Sequence, residues 1–521
     1  MRKQKKDRSF RPGGRFTCLI AVVLVLLTVS PGCKKSPAAT TAKAAQTTVK
    51  ATAAQITAKP ASAATTTKAA TAAEVPAEQT LAEESSKETY VDKEFTADEE
   101  YIPEQILDLG GQNIILATWG TYDNIRKTYY DEEYMKTRPA AEYAVFKRMQ
   151  AAMQKYNFKL DFNMTSDGVG FQKNFVSNIL AGINFGDLCG AGADYVFPNY
   201  VTNKVIIPID QYYDFSTDPF DWKDNEFMMA SAKWQGHIWQ INTNRHGTYI
   251  GTLFDKKILA REGMPDPIDM VNNRTWNWDN FLSMAVTMTK DTNGDALLDQ
   301  WGILPGASLL QGLVYSNGGK YTYVHEDGKV TFGLTESRAM KALQFANELM
   351  NVYKVTGGTL FGSNYGFYVN VTGQMWQHVS RGFDFDMVPT PMGPDVNEYI
   401  AVAGGGWWVV PITTKIPKEV INIFMEVWSV WDNSRPFGLE NKDIMIRQNM
   451  KTAYFYSDRA LDIVVGGQRW DTEFSGGFTG LNALITANIL TPITKGAISV
   501  GTAVDAINAQ AQSVIDSAMY K

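Results

Sequence analysis

Beyond about residue 110, apolar positions recur with two periods in turn. Residues 113–120, NIILATWG, form a short apolar run closed by glycine, which predicts a strand. Residues 140–156 carry apolar side chains at helical spacing, through Ala144, Val145, Met149 and Met153. FKLDFNM at 158–164 alternates and predicts a second strand. FQKNFVSNILAGI at 171–183 returns to helical spacing, with Phe171, Phe175, Ile179 and Leu180 on one side. Repeated strand–helix units predict an α/β fold with a largely parallel sheet. Ligands of such sheets sit outside the carboxyl ends of the strands. Trp119, Gly120, Thr121 and Tyr122 follow the first strand, so they are site candidates.

The first hundred residues follow another pattern. A basic start, MRKQKKDRSFRPGGR, runs into CLIAVVLVLLTV and then SPGC. The apolar run is about twelve residues, short of the ~20 that a membrane-spanning helix needs. Basic, then apolar, then small residues is the order of a secretory signal, here residues 1–32. The residues before Cys33 resemble the lipobox of bacterial lipoproteins, although Ser30 stands where leucine is usual. That resemblance implies a lipidated Cys33 holding the mature chain on the outer face of the membrane. Residues 33–100 are rich in Ala, Thr and Lys, then acidic, with little aliphatic bulk. Such a tract buries too little apolar surface to offset its ordering entropy and reads as a flexible tether. As a coil, about 60 residues would reach roughly 45 Å. Residues 101–521 are the folded body.

Composition narrows the function. Aromatic residues make up 12% of the 521, with 13 Trp and 23 Tyr. Aromatic side chains beside polar groups suit flat, partly apolar ligands. The net charge of −6 and the lack of an arginine-rich stripe argue against a nucleic-acid partner. Of three cysteines, only Cys189 lies in the body, so no internal disulfide is expected there and Cys189 reads as a small buried residue. The four histidines are scattered without zinc-binding spacing. Asp291, Asn293, Asp295 and Asp299 take positions 1, 3, 5 and 9 of a calcium loop. Ala296 replaces the glycine at position 6 and Gly302 the glutamate at position 12, which favours a solvated acidic turn. The pairs Tyr129-Tyr130 and Tyr212-Tyr213 stand in polar stretches with no nearby histidine, which argues against a ferric-ion site. No metal and no cofactor are expected.

Residues 233–303 carry a distinctive order of motifs: WQGHIW, TLFDKKILAREGMPDP, TWNWDNF and DTNGDALLDQWG. ILAGINFGDL, NKVIIPIDQYYD, YVNVTGQMWQHVS, FDFDMVPTPMGP and VAGGGWWVVPITTKIPKEVINIFMEVW flank it. In this order they resemble the family 1 extracellular solute-binding proteins of bacterial ABC importers, the maltose-binding-protein-like group. Departures include Phe254-Asp255-Lys256 in place of Tyr-Asn-Lys. The resemblance implies a periplasmic-binding-protein-like fold, two α/β lobes with a ligand cleft between them and crossover hinge segments.

It also implies roles. Gly404-Gly405-Gly406 would free the backbone where the chain crosses between lobes. Trp407 would then wall the cleft and stack on the apolar face of a sugar. Adjacent strand residues face opposite sides, so Trp408 is assigned to the core. Trp376 after VTGQM, Trp119 and Tyr122 join Trp407 as aromatic candidates. Asn244, Arg245 and Tyr249 lie in the interlobe region, and Asp194 follows the strand-like LCGAGAD. Trp276 and Trp278 open a helix and are assigned to packing. The expected function is non-enzymatic: a monomeric lipoprotein that closes on a carbohydrate, an oligosaccharide by preference, and passes it to the permease subunits of an ABC importer. The alternatives are a sensory or adhesive carbohydrate-binding lipoprotein and a secreted glycoside hydrolase. The hydrolase would need a carboxylate pair across a cleft.

Overall fold

The computed structural model describes residues 107–519, apart from 139, 166, 193–194, 218–221, 223–225, 242–248, 363, 403–405, 429–449, 452–455 and 467–468. The signal, Cys33 and the tether therefore lie outside the described residues. The chain divides into two compact units. One takes in Met1–Val23 and Lys93–Lys521; the other, Leu24–Asp92, is wholly outside the described residues. No helix among the described residues is long and apolar enough to cross a membrane.

The strands run in chain order as β1 (Gln112–Trp119), β2 (Phe158–Thr165), β3 (Leu188–Gly192), β4 (Ile206–Ile207), β5 (Lys233–Trp234), β6 (His237–Ile238), β7 (Ile250–Asp255), β8 (Trp301–Ile303), β9 (Thr322–Val324), β10 (Val330–Phe332), β11 (Tyr365–Val371), β12 (Phe385–Pro389), β13 (Ile400–Val402), β14 (Gly406–Pro411) and β15 (Arg469–Asp471). They build two main sheets, one per lobe: β2-β1-β3-β14-β4 and β12-β7-β11-β8.

In the first lobe β1 runs parallel to both β2 and β3, as the strand–helix repeats predict. Each face of a parallel sheet needs cover, and this sheet has it on both. Ile114, Leu116 and Leu188 meet Met149, Phe424 and Trp428 in one core. On the other face Ala117, Cys189 and Ala191 keep the surface shallow, and Phe171, Phe175 and Phe185 fill the space. Cys189 is buried there, as expected. The helix Gly168–Leu180 supplies Phe171, Phe175 and Ile179 to this core, but Leu180 is 61% exposed because the helix ends there. Asp187, 6% exposed, accepts the Ile115 N–H at 2.8 Å and ties the start of β3 to β1. Burial pushes its carboxyl above the usual range.

The expectation of a largely parallel sheet fails in the second lobe. There β7 is antiparallel to both β11 and β12, and only β8 runs parallel to β11. Strand β14 is also antiparallel to β3 and β4 in the first lobe. The reason is topological: β7 and β14 enter their sheets from the opposite lobe, so they arrive against the direction set by strand–helix units.

At the junction two of the crossing segments bond to one another. Ile241 N–H donates to Trp408 O at 2.8 Å, and Trp408 N–H donates to Ile241 O at 2.9 Å. Beyond that pair the core continues from lobe to lobe. Phe197 stacks on Trp234 with centroids 5.4 Å apart, and both meet Phe474 edge-on, at 5.5 and 4.9 Å. The turn Ser475–Gly477 presses on the same place: a Cβ added at Gly477 would fall 1.5 Å from Phe197 O. Only glycine allows two backbones that close. Gly477→Ala should therefore force the Ser475–Gly477 turn off Phe197. It should cost about 1–3 kcal/mol of stability and raise the radius of gyration in small-angle scattering; unchanged scattering and melting would show that the contact is dispensable.

Candidate functional site

The first-lobe edge of the site is built at the carboxyl ends of β1 and β2, where Trp119 pairs with Thr165. The Trp119 indole is half-buried and meets Phe171 edge-on at 5.9 Å. One glycine makes room for it: a Cβ at Gly168, in the first turn of its helix, would lie 3.3 Å from the indole Cγ. A Cβ at Gly190 in β3 would instead meet Thr118 Oγ1 at 2.5 Å. Tyr122, 47% exposed, opens the helix Tyr122–Tyr130 and rests edge-on against Phe162 at 6.0 Å. Trp119 and Tyr122 so stand on one edge of the lobe, as their sequence positions suggest.

Trp407 lies in β14 opposite Ala191, but its side chain is outside the described residues. Its neighbour Trp408 is half-buried against the first-lobe core, 5.4 Å from Trp428, which is the packing role expected of it. Asp194, Asn244, Arg245, Gly404 and Gly405 lie outside the described residues.

The second-lobe edge gathers where β11 ends. Tyr249 N–H donates to Thr372 Oγ1 at 3.3 Å, and Thr372 N–H donates to Tyr249 O at 2.8 Å. The chain is thereby pinned just after it crosses. Tyr249 was a site candidate, and its place in the structure corrects that: it is 1% exposed and packs edge-on against Trp470 at 5.6 Å. Its position beside the crossing segment puts it in the core beneath the junction rather than on a wall. Trp376 is half-buried on the short helix Met375–Val379 that follows Thr372. Nearby, Ser308 Oγ bonds Asn370 Oδ1 at 3.2 Å, and Asn370 Nδ2 donates to the Tyr368 hydroxyl.

Sequence reasoning passed over His378. It is fully buried two residues from Trp376, with its ring among Phe361, Phe383 and Phe385. Its Nδ1 lies 3.0 Å from Gln374 O and its Nε2 lies 2.9 Å from the Tyr365 hydroxyl. A carbonyl only accepts, so Nδ1 carries the proton and Nε2 accepts from Tyr365. Burial holds the imidazole below its usual pKa and lifts Tyr365 to about 12. A lone histidine in an aromatic-rich stretch carries no sequence signal of this kind, because its partner Tyr365 comes from a different element.

Other candidates resolve as packing. Trp276 is fully buried and donates from Nε1 to Pro389 O at 2.8 Å. Trp278 stacks on Phe345, with centroids 4.5 Å apart and planes 6° from parallel. Both match the packing role assigned to them. In the 291–299 loop the Asp291 carboxylate accepts from the N–H groups of Asn293, Gly294 and Ala296, and Asp299 accepts from Thr292. Ala296 adopts φ +67°, the conformation glycine would take there. Near the pair Tyr212-Tyr213 in sequence, Asp210 Oδ2 lies 3.0 Å from His237 Nδ1. Tyr213 is buried against Phe215. Among the described residues no three His, Cys, Asp or Glu side chains gather as metal ligands.

No protein-family model and no curated protein matches the chain. Solved structures do. The cyclic alpha-maltosyl-1,6-maltose binding protein of Arthrobacter globiformis superposes with a TM-score of 0.58 at 12% identity, covering 78% of this chain and 100% of that one. UspC of M. tuberculosis gives 0.54 at 15% identity, over 77% and 100%. UgpB of Mycobacterium tuberculosis in complex with glycerophosphocholine gives 0.53 at 16%, over 77% and 98%. The chain has the two-lobe fold of the periplasmic binding proteins.

The two tryptophan classes should separate by experiment. Trp276→Ala should cost about 3–5 kcal/mol in urea unfolding. Trp376→Ala, only half-buried, should cost under about 1.5 kcal/mol. Equal losses would place Trp376 in the core instead of on the edge.

Proposed function

We propose that this chain is an extracellular solute-binding lipoprotein. It captures a carbohydrate by lobe closure and delivers it to an ABC importer. The observation that carries the proposal is the pairing of a two-lobe fold with half-buried tryptophans at the free edges of both lobes, Trp119 after β1 and Trp376 after β11. Indole faces suit the apolar C–H face of a sugar ring. Trp407, Asn244, Arg245 and Asp194 stay in the proposal on the sequence resemblance, Trp407 for stacking and the other three for hydroxyl edges. A ligand that touches both lobes binds the closed state better than the open one, and this difference drives closure. The fold neighbours support the class: one is named for a cyclic maltosyl-maltose, while another holds glycerophosphocholine, a polar non-sugar.

Cys33 is the proposed anchor, with residues 33–100 as the tether that lifts the two-lobe body from the membrane. One acyl chain gives only marginal membrane binding; several make it stable. Cys33→Ser should move the expressed protein from the detergent phase to the aqueous phase in phase partitioning and abolish labelling by fatty acid. Unchanged partitioning would remove the lipid anchor from the proposal.

The receptor role is tested by thermal shift of residues 93–521 against mono- and oligosaccharides. A ligand at 100 times its Kd adds about 2.7 kcal/mol. The melting temperature should rise with one sugar series, and the rise should disappear in Trp376→Ala and Trp407→Ala. No rise with any sugar would count against a carbohydrate.

A further inference from the structure

We propose that His378 positions the second-lobe wall of the cleft and makes ligand affinity depend on pH. The inference rests on the reading of Trp376 as a ligand-facing residue.

The helix Met375–Val379 has five residues, too short to be stable without tertiary support. Met375 and His378 are its buried anchors. His378 closes the turn on itself through Gln374 O and ties it to the sheet through the Tyr365 hydroxyl. Trp376 lies between Gln374 and His378, so the backbone that carries it is closed by the His378 bond to Gln374 O and tied to the sheet by the bond from Tyr365. Only the Tyr365 bond requires the neutral ring; the Nδ1–H bond to Gln374 O survives protonation. Protonation puts a hydrogen on Nε2, which then confronts the Tyr365 O–H instead of accepting from it, and the Tyr365 donor is left buried without its acceptor.

The surroundings decide which way the ring titrates. Phe361, Phe383 and Phe385 give a bound proton no hydration. Tyr365 and Tyr368 of β11 face the ring and are neutral in this range. Arg381, whose guanidinium lies 4.1 Å over Phe361, repels the imidazolium. Asp255, paired with Phe385 in register, attracts it, but its carboxylate already accepts the Lys257 and Ile258 N–H groups. Asp386, next on β12, turns to the other face towards Ser457. Burial outweighs Asp255, and the ring's pKa lies below its free value. The sign follows. Neutral His378, with Trp376 held, is the state above about pH 6.5. As pH falls through the depressed pKa the ring gains a proton, the tie from Tyr365 is lost and affinity drops.

The test uses the full chain and three variants: His378→Gln, Tyr365→Phe and Trp376→Phe. Maltotriose and mannotriose are titrated by calorimetry at pH 7.5 and 5.0. Wild type should bind more weakly at the lower pH, by up to about tenfold for each pH unit below the ring's pKa. Tyr365→Phe, with the hydrogen bond gone, should lose about fivefold at pH 7.5. His378→Gln keeps an acceptor but cannot titrate; it should bind somewhat more weakly than wild type at pH 7.5 and show no drop at pH 5.0. A drop of equal size in wild type and His378→Gln overturns the proposal.

A second readout needs no ligand. The tryptophan emission that Trp376→Phe removes is followed in wild type from pH 7.5 to 5.0. A sigmoidal shift in wild type that is absent in His378→Gln supports the proposal, and no shift in wild type overturns it. If neither trisaccharide binds at pH 7.5, the receptor reading loses those two sugars while the emission arm still decides the role of His378.

Discussion

The fold turns on one pair of backbone hydrogen bonds, between Ile241 and Trp408. The chain passes from first lobe to second, back with β14 and once more to the second, where Asp458–Gly466 and Val500–Met519 pack, and each passage breaks the local rule that consecutive elements pack side by side. Buried peptide groups at such a passage must still find partners. Here two of the passages satisfy each other. Strands β7 and β14, which follow two of the passages, lie antiparallel to their neighbours β11, β12 and β3. The aromatic contact of Phe197, Trp234 and Phe474, with the Gly477 backbone against Phe197 O, packs the region beside the Ile241–Trp408 pair.

Buried carboxylates in this structure serve the scaffold. Asp187 caps the first sheet, Asp255 caps the helix that follows β7, and Glu473 accepts from Tyr321, Thr322 and Ser475. Burial pushes each of them up, yet each is already engaged by backbone N–H groups. Perturbed acids often mark catalytic sites, but ion-pair and capping networks perturb them as well. The edges of the lobes instead present indole, phenol, amide and hydroxyl groups. Those groups suit recognition of a neutral polar solute, with binding energy spent on closure.

The first lobe was legible because its signal is local. Strand-period and helix-period runs at 113–120, 140–156, 158–164 and 171–183 each match an element to within a few residues. The separation of Trp276 and Trp278 from the candidate aromatics also held, since both lie at a helix start where packing claims the ring. Tyr249 shows the limit. Nothing in its neighbours tells a wall residue from one under the junction; Trp470, 221 positions later, decides it. Leu180 fails for a smaller reason: a periodic pattern does not say where the helix stops.

The sequence by itself determined the alternation of strands and helices, the basic-apolar-small start before Cys33, the low-complexity stretch after it and the aromatic richness of the body. These depend on composition and on spacings of a few residues. The tertiary structure alone decided that the second sheet is mixed, that Tyr249 is buried and that both ring nitrogens of His378 are engaged in the core. Each of these depends on which distant segment comes to lie against it, and a hydrogen bond such as that from Tyr365 to His378 has no counterpart in local periodicity.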